Sequence, residues 1–314
     1  MKIAIFLPKT VFTENQFQRL AALGDVVFTA DGKEMTLDAC IAHAKDAEIL
    51  GLDPDNFGGF EKAREQTTKL LLASPAVKGI TLATTSFGWV DLEYCKKQNI
   101  PVCNIPGYSR ESVAEHTITL LLCMAKRVFL SDRRTQKGEF KMEMGFELAG
   151  KTLGIIGLGN IGTRTAEIAR GIGMNVIAYN HSPKTVAGVT MKSLDEVLSE
   201  SDAIAFHTTH TDANKGFIGK DQIAKMKKGV IIVNTADEAL IDEAAMAEAL
   251  KSGQVDTYTS EGTSFENTPL AGMERAIGLK GFGYFTKEAL QNLFEIFVTN
   301  IEGLVQGRPI HTVK

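Results

Sequence analysis

The chain has 314 residues, of which 44% are hydrophobic and 23% are charged, and this composition is typical of a globular protein of about two domains. The formal net charge is −4 and the sequence has no basic run, so we expect neither nucleic acid nor a membrane surface as a partner. The apolar stretches are far shorter than the ~18 residues of a membrane span, and MKIAIFLPKT at the start lacks a signal-peptide pattern.

The four cysteines are scattered along the chain and form no C-x-x-C pair. They are Cys40, Cys95, Cys103 and Cys123. We therefore expect buried, reduced thiols in a cytoplasmic protein, and neither a disulfide framework nor a metal site.

The sequence pattern of residues 1–105 predicts a small α/β unit in which strands alternate with helices. The predicted strands are Ile3–Leu7, Val26–Thr29, Glu48–Leu52, Ile80–Ala83 and Val102–Ile105. Helical patterns lie between them, for example at Thr36–Lys45 and Asp91–Gln98. This alternation is typical of a parallel sheet covered on both faces. Because the unit has no glycine triplet, we do not expect it to hold a dinucleotide.

A helix is predicted to follow the segment 104–116 and to continue to about Lys137. It is apolar nearly all round, at Ile118, Leu120, Leu121, Leu122, Met124 and Ala125. Such a helix must be buried on several sides. A position between two domains, or in a dimer interface, would satisfy that requirement.

The stretch Lys151–His181 has the features of a dinucleotide site. A short apolar strand, Thr152–Ile156, is followed by Gly157, Gly159 and Gly162 in the pattern G-x-G-x-x-G. In such a site the first glycine allows a tight turn, the second lets the backbone approach a pyrophosphate, and the third lets helix and strand pack closely. The free N–H groups and the dipole at the start of the next helix would bind the pyrophosphate.

The residues behind the glycines fit the same unit. Ala166 and Ala169 share one helix face with the third glycine, so small residues would face the sheet. Val176–Tyr179 is the expected second strand. Strand, glycine triplet, small-faced helix and second strand in this order favour a nucleotide site over an accidental glycine-rich turn.

Further strands and helices continue the unit to about residue 280. Ser193 and Glu196 form a capping box, and Asp242 caps a helix that Gly253 ends. The predicted strands are Ala203–Phe206, Val230–Val233, Val255–Ser260 and Ala276–Leu279. Because ligands of open α/β sheets bind at the carboxyl ends of strands, one edge should carry Gly157, Asn180, His207, Asn234 and Glu261.

The last helix, Glu288 to about Val305, is amphipathic and is expected to return to the first domain. The predicted fold class is α/β, with two Rossmann-like, doubly wound parallel-sheet domains and a cleft between them. Residues 1–105 plus 286–314 would form the flavodoxin-like substrate domain. Residues 106–285 would form the NAD(P)-binding domain, including the linking helix.

The residues after the second strand bear on the choice between NAD and NADP. NAD sites usually place Asp or Glu there to accept from the ribose 2′-hydroxyl, whereas this chain has Asn180. Ser182 could donate to a 2′-phosphate, and His181 and Lys184 could add positive charge. We therefore expect an NAD(P) site that slightly favours NADP.

The chain resembles the D-isomer-specific 2-hydroxyacid dehydrogenase family over nearly its whole length. The matching stretches are Ser112-Val-Ala-Glu-His116, Gly154-Ile-Ile-Gly-Leu-Gly-Asn-Ile-Gly162, Met226-Lys-Lys-Gly-Val-Ile-Ile-Val-Asn-Thr-Ala236 and, more weakly, Asn267-Thr-Pro-Leu270. The resemblance implies two Rossmann-like domains, a homodimer, and hydride transfer between NAD(P)H and a 2-oxo acid.

The resemblance also implies three catalytic side chains, and two of them are replaced. Asp237 stands where the family has an arginine that binds the substrate carboxylate, and Gly281 stands where it has the proton-donating histidine. The glutamate that pairs with that histidine falls on Glu266 by counting, with Glu261 as the other register. An arginine–carboxylate contact contributes roughly 1.5–3 kcal/mol, and a proton donor contributes ~10²–10⁴ in rate, so an ordinary 2-oxo acid reductase is disfavoured.

Three interpretations remain open. The first is an oxidoreductase for a cationic or neutral substrate such as an imine, with the acidic Asp237, Glu238 and Glu266 in the site and His210, Lys280 or Tyr284 as proton donor. The second is a non-catalytic NAD(P)H-binding sensor or partner-binding protein. The third is a weak glyoxylate or hydroxypyruvate reductase that holds its substrate by backbone N–H groups near residues 84–87.

The predicted site residues follow from these arguments. The catalytic candidates are Asp237, Glu266, Glu261 and Lys280, and the substrate-binding candidates are Thr85, Ser86 and Phe87. The cofactor-binding candidates are Gly157, Gly159, Asn160, Ile161, Gly162, Asn180, His181, Ser182, Lys184, His207, Thr208, Thr235 and Ala236. His43 and His116 are interpreted as structural, and Trp89 as a packing residue.

Overall fold

The computed structural model describes residues 1–209, 212–262 and 264–313, so the candidate donor His210 lies outside the described residues. Its strands, in chain order, are β1 (Lys2–Pro8), β2 (Asp25–Thr29), β3 (Ile49–Leu52), β4 (Gly79–Leu82), β5 (Val102–Cys103), β6 (Thr152–Ile156), β7 (Asn175–Tyr179), β8 (Thr190–Met191), β9 (Ala203–Phe206), β10 (Val230–Asn234), β11 (Val255–Gly262) and β12 (Ala276–Lys280). Its α-helices are α1 (Glu14–Ala21), α2 (Leu37–Ala44), α3 (Phe60–Leu72), α4 (Leu92–Lys97), α5 (Arg110–Ala125), α6 (Val128–Gln136), α7 (Asn160–Gly171), α8 (Leu194–Glu200), α9 (Lys220–Ala224), α10 (Glu243–Ser252) and α11 (Lys287–Val305).

The chain divides into two compact units. The first consists of Met1–Tyr108 and the chain from Lys287 onward, and the second is Ser109–Thr286. In each unit the strands form one parallel sheet. Of the helices described here, none is both long and apolar enough to cross a membrane.

The first unit has a five-stranded sheet in the order β2-β1-β3-β4-β5. Successive residues of β1 point to opposite faces, as the pleat of a strand requires. Ile3 and Ile5 pack with Phe297 of α11, whereas Ala4 and Phe6 pack in a separate core with residues of α2 and α3. The sheet is therefore covered on both faces, and the last helix belongs to the first unit.

The second unit has a seven-stranded sheet in the order β12-β11-β10-β9-β6-β7-β8. Along β9, Ile204 and Phe206 pack with residues of α8 and α10, whereas Ala203 and Ala205 pack with α5 and α7. Helices thus cover both faces of this sheet too, and the predicted α/β class with two Rossmann-like sheets is confirmed.

The prediction of one continuous helix to about Lys137 is wrong. Helix α5 ends at Ala125 and α6 begins at Val128. Between them Arg127 adopts φ 62°, a left-handed conformation that is uncommon for residues other than glycine. The Arg127 guanidinium donates two hydrogen bonds to the Asp256 carboxylate and one to the carbonyl of Met144. These contacts stabilise the break.

The apolar faces of α5 are buried within the second unit. The helix packs against α7 and β10, and Ile118, Leu121 and Met124 lie in the same core as Ala166. This packing accounts for the burial that the sequence pattern requires.

Candidate functional site

The glycine turn lies between β6 and α7, at the carboxyl edge of the second sheet. Gly157 has φ +98°, and a Cβ there would lie 2.6 Å from the backbone nitrogen of Thr208. A Cβ on Gly162 would lie 2.2 Å from the carbonyl oxygen of Gly157. A Cβ on Gly159, in contrast, would meet no atom of the described residues within 4 Å. Gly157 and Gly162 therefore permit close backbone packing, whereas Gly159 leaves open space beside the turn.

The start of α7 has the features that bind a phosphate. The N-cap residue is Gly159, which offers no side-chain acceptor, so the N–H groups of Asn160, Ile161 and Gly162 lack intrahelical acceptors. They lie at the positive end of a twelve-residue helix. The open space at Gly159 and these donors together fit a dinucleotide pyrophosphate.

The residues after β7 hold the glycine turn in place. The side-chain oxygen of Asn180 accepts from the backbone N–H of Leu158 at 2.9 Å, and its amide nitrogen donates to the carbonyl of Ser182 at 2.8 Å. Lys184 Nζ donates to the carbonyl oxygen of Leu158. His181 and Ser182 are exposed. The cofactor-binding assignments of these four residues stay predictions.

A row of polar side chains follows the ends of β9 and β10. His207 Nε2 lies 3.0 Å from Thr165 Oγ1, and His207 Nδ1 lies 3.3 Å from Thr235 Oγ1. Thr235 in turn lies 3.2 Å from Thr117 Oγ1. Burial lowers the pKa of His207 to about 4, so its ring is neutral at physiological pH. Thr117 and Thr165 were missed by the sequence analysis because a threonine on an apolar helix face gives no distinct signal.

Asp237 caps the short helical turn that follows β10. Its Oδ1 accepts from the backbone N–H of Ala239 at 2.9 Å. Its carbonyl accepts from the side chain of Asn234 at 3.0 Å, and Asn234 is fully buried. Among the described residues, none donates a hydrogen bond to Asp237 Oδ2. The carboxylate is therefore held in one orientation with one oxygen left for a ligand.

A second carboxylate, that of Glu238, lies beside the end of β11. A Cβ built on Gly262 would lie 1.9 Å from Glu238 Oε2. The glycine therefore makes room for this side chain. Burial and the nearby Glu238 raise the pKa of Glu243, which indicates that negative charge accumulates after β10.

The two candidate registers for the catalytic glutamate differ sharply in their surroundings. Glu261 is buried, and its Oε1 accepts from the backbone N–H groups of Phe282 and Gly283 at 3.1 and 3.0 Å. Glu266 is exposed, as is Lys280 at the end of β12. The catalytic roles of Glu261, Glu266 and Lys280 stay predictions.

Glu261 also faces His116, which the sequence analysis interpreted as structural. His116 Nε2 lies 3.0 Å from Glu261 Oε1, and the two side chains are 15% and 6% exposed. The ring packs edge-on against Phe282, with centroids 5.0 Å apart. A Cβ on Gly283 would lie 2.7 Å from Glu261 Oε2 and 3.0 Å from His116 Cδ2. The sequence gives no signal for this pair because its members are far apart in the chain.

The predicted substrate loop belongs to the first unit and follows β4. The carbonyl oxygens of Thr85 and Ser86 accept from Asn104 Nδ2 and Trp89 Nε1 at 2.7 and 2.9 Å. Trp89 is 3% exposed, as its predicted packing role requires. Within the described chain, no group accepts from the N–H groups of Thr85, Ser86 or Phe87. These exposed donors suit a carboxylate.

Comparison with known proteins identifies the family. Residues 118–278 match the model described as D-isomer specific 2-hydroxyacid dehydrogenase, NAD binding domain. Hydroxypyruvate reductase of Blautia hydrogenotrophica is 30% identical over 310 residues, which cover 94% of this chain and 93% of that protein. D-3-phosphoglycerate dehydrogenase of Archaeoglobus fulgidus is 34% identical over 79% of this chain, which spans about half of that protein's length, 49%.

A solved structure is similar over the full length of both chains. It is an acyclic imino acid reductase in complex with NADPH and D-Arg, at 25% identity and a TM-score of 0.86. The family model covers the glycine turn and the strands that follow it. The chain therefore belongs to the D-isomer specific 2-hydroxyacid dehydrogenase family, whose members are NAD(P)-dependent oxidoreductases.

Proposed function

We propose that the protein is an NADPH-dependent reductase of an imine whose side chain carries a positive charge or no charge. The observation that carries this proposal is Asp237 at the position where the resemblance implies a carboxylate-binding arginine. A fixed carboxylate repels a substrate anion and attracts a cation. The protein should therefore disfavour a negative charge on the substrate near Asp237, where an arginine would favour it.

The surroundings of Asp237 support this proposal. Its Oδ1 is occupied by the helix cap, so the side chain cannot turn away without losing that hydrogen bond. Glu238 adds a second carboxylate at the same sheet edge. A cationic group on the substrate would offset the repulsion between these charges.

The similarity to the imino acid reductase also supports it. That protein is described in complex with NADPH and D-Arg, a ligand with a cationic side chain. An imine carbon accepts a hydride as a carbonyl carbon does, so the same cofactor site serves both reactions. The chemistry that bound NADPH supplies is the hydride.

A weak 2-oxo acid reductase is the alternative. The similarity to hydroxypyruvate reductase over 94% of the chain favours it. The free N–H groups of Thr85, Ser86 and Phe87 suit a carboxylate. An imino acid carries the same carboxylate, so this loop does not separate the two functions.

We further propose that NADPH is preferred over NADH. Asn180 carries no charge that would repel a 2′-phosphate. Its amide is committed to Leu158 and Ser182, which leaves the exposed Ser182 hydroxyl and His181 near the end of the strand to interact with the phosphate.

A series of substrates that differ in charge tests the proposal. NADPH oxidation is followed with 5-guanidino-2-oxopentanoate, 2-oxohexanoate and 2-oxoglutarate, each with excess methylamine to form the imine. The cationic imine should exceed the anionic one in kcat/KM by at least about tenfold, equivalent to ~1.4 kcal/mol. Equal values, or a preference for the anionic imine, would contradict the role given to Asp237.

The proposed assembly is a cytoplasmic homodimer. In the segment between α6 and β6, the side chains of Phe140, Met142 and Met144 are 88%, 98% and 90% exposed. Glu143, between two of them, forms ion pairs with Arg134 and Arg275. An anchored segment with three exposed apolar side chains is typical of a protein interface, and the four unpaired cysteines suit a reducing compartment.

A further inference from the structure

We propose that His116 is the proton donor of this reductase and that Glu261 positions its ring; this assignment rests on the proposed function. The observation behind it is the 3.0 Å contact between His116 Nε2 and Glu261 Oε1. The resemblance places the family's histidine at Gly281, which has no side chain to donate a proton. His116 of α5 thus lies against Phe282, in the segment where the family's histidine is replaced by Gly281.

Glu261 is held in place by two backbone donors. The N–H groups of Phe282 and Gly283 both donate to Oε1. A carboxylate fixed beside a histidine holds the ring in one orientation. The pair therefore has the components of a histidine–carboxylate acid catalyst.

One nitrogen of the His116 ring faces Glu261. Nε2 is shielded from solvent and lies 3.0 Å from Glu261 Oε1, without a hydrogen-bond partner among the described residues. Phe282 lies against the ring edge, and the absence of a side chain at Gly283 leaves space for the ring. Because Nε2 faces the carboxylate, we assign the proton transfer to Nδ1, the other ring nitrogen.

His116 also lies at the edge of the sheet that carries the dinucleotide site. The next residue, Thr117, contacts Thr235, which follows β10 and contacts His207 after β9. Gly157 contacts the backbone of the same His207 segment. The proton donor and the glycine turn thus belong to one edge of the second unit.

The reaction balances with this assignment. NADPH, when bound, would supply the hydride for the new C–H bond and would be oxidised to NADP⁺. The π electrons of C=N or C=O become a lone pair on nitrogen or oxygen. His116 Nδ1 gives its proton to that lone pair, and the neutral imidazole recovers a proton from solvent.

The test compares His116→Gln and His116→Ala with His43→Gln, a control at a histidine in the first unit that contacts the carbonyl of Ile5. NADPH oxidation is measured with pyruvate plus methylamine and with hydroxypyruvate. His116→Gln should lower kcat at least 100-fold while the NADPH dissociation constant changes less than threefold. Added imidazole should raise the rate of His116→Ala at least fivefold, which a purely structural role would not produce.

The outcomes separate this assignment from the proposed substrate. If hydroxypyruvate outperforms the imine but His116→Gln still abolishes turnover, the substrate class fails and the donor assignment stands. If His116→Gln turns over within fivefold of the wild type, the assignment is overturned. If no probe is reduced, ¹³C-labelled histidine NMR decides: saturating NADPH should shift the His116 resonance, identified by its loss in His116→Gln, and an unshifted resonance would overturn the proposal.

Discussion

At the scale of single residues, Asp237 is the position where a substitution should change the substrate preference. Asp237→Arg restores the cation that the family resemblance implies. We expect it to raise kcat/KM for hydroxypyruvate by about 10- to 100-fold, since a charge-assisted contact contributes roughly 1.5–3 kcal/mol. The same change should weaken turnover of a cationic imine.

Asp237→Asn is the matched control for that substitution. The amide oxygen can still accept from the N–H of Ala239, so the helix cap is retained while the charge is removed. Its effect on hydroxypyruvate should lie between those of the wild type and Asp237→Arg. Unchanged kinetics in both variants would show that Asp237 is remote from the substrate.

Asn180 is the residue at which cofactor preference should change. Asn180→Asp keeps an acceptor for the N–H of Leu158 and adds a negative charge at the end of β7. Repulsion of the 2′-phosphate should lower the NADPH-to-NADH affinity ratio at least about tenfold, or ~1.4 kcal/mol. Fluorescence titration with each cofactor measures the ratio.

Asn175→Asp, at the opposite end of the same strand, is the control for charge alone. It should leave the cofactor ratio within about twofold of the wild type, because the intervening strand separates it from the glycine turn. Tighter NADH than NADPH binding by the wild type would disprove the proposed preference.

At the residue scale, the position of the glycine turn could be predicted because a strand, the glycine triplet and a small-faced helix follow one another in the sequence. The cofactor-binding roles of its residues stay predictions. The contact between His116 and Glu261 could not be read, since α5 and β11 bring together residues that no spacing rule connects. The location of His207 between Thr165 and Thr235 was equally inaccessible to sequence analysis.

At the scale of secondary-structure elements, the strand–turn–helix unit around the glycines should be sensitive to a single methyl group. Gly162→Ala would place a Cβ 2.2 Å from the carbonyl oxygen of Gly157. The turn must then shift, so we expect NADPH binding at least tenfold weaker and a loss of about 1–3 kcal/mol of unfolding free energy. Cofactor titration and urea denaturation measure the two effects.

The last residue of the same helix provides a control. Within the part of the chain that the structure describes, a Cβ on Gly171 would meet no atom within 4 Å, and alanine favours a helix over glycine by about 0.5–1 kcal/mol. Gly171→Ala should therefore preserve NADPH affinity and slightly stabilise the protein. Equal effects of both substitutions would contradict the packing role of Gly162.

The elements themselves were largely predictable from apolar runs and caps. The capping box of Ser193 and Glu196 and the cap at Asp242 appear as predicted. The break between α5 and α6 was not predictable, because no glycine or proline marks it. It depends on the ion pair of Arg127 with Asp256, a residue distant in sequence.

At the scale of the whole molecule, two parallel sheets followed from the alternation of strands and helices. A parallel pair of strands needs a crossover, which a helix usually provides. The return of α11 to the first sheet was predicted from its amphipathic pattern and is seen in the packing of Phe297 against Ile3 and Ile5. The break at Arg127 altered a helix but not this architecture.

The exposed segment between α6 and β6 should control assembly. Replacement of Phe140, Met142 and Met144 by serine should convert a dimer, of about twice the chain mass of 34.1 kDa, into a monomer. Light scattering coupled to size exclusion measures the mass. Replacement of Phe60, another exposed aromatic residue, is the control and should leave the mass unchanged. A monomeric wild type would contradict the proposed dimer.

The central claim is that the altered site reduces C=N in preference to the C=O of a 2-oxo acid. Its most direct test is the ratio of kcat/KM values, with NADPH, for the methylimine of pyruvate and for hydroxypyruvate. We predict a ratio above ten for the wild-type protein. A ratio below one, with rapid reduction of hydroxypyruvate, would show that the protein is an ordinary 2-oxo acid reductase despite Asp237 and Gly281.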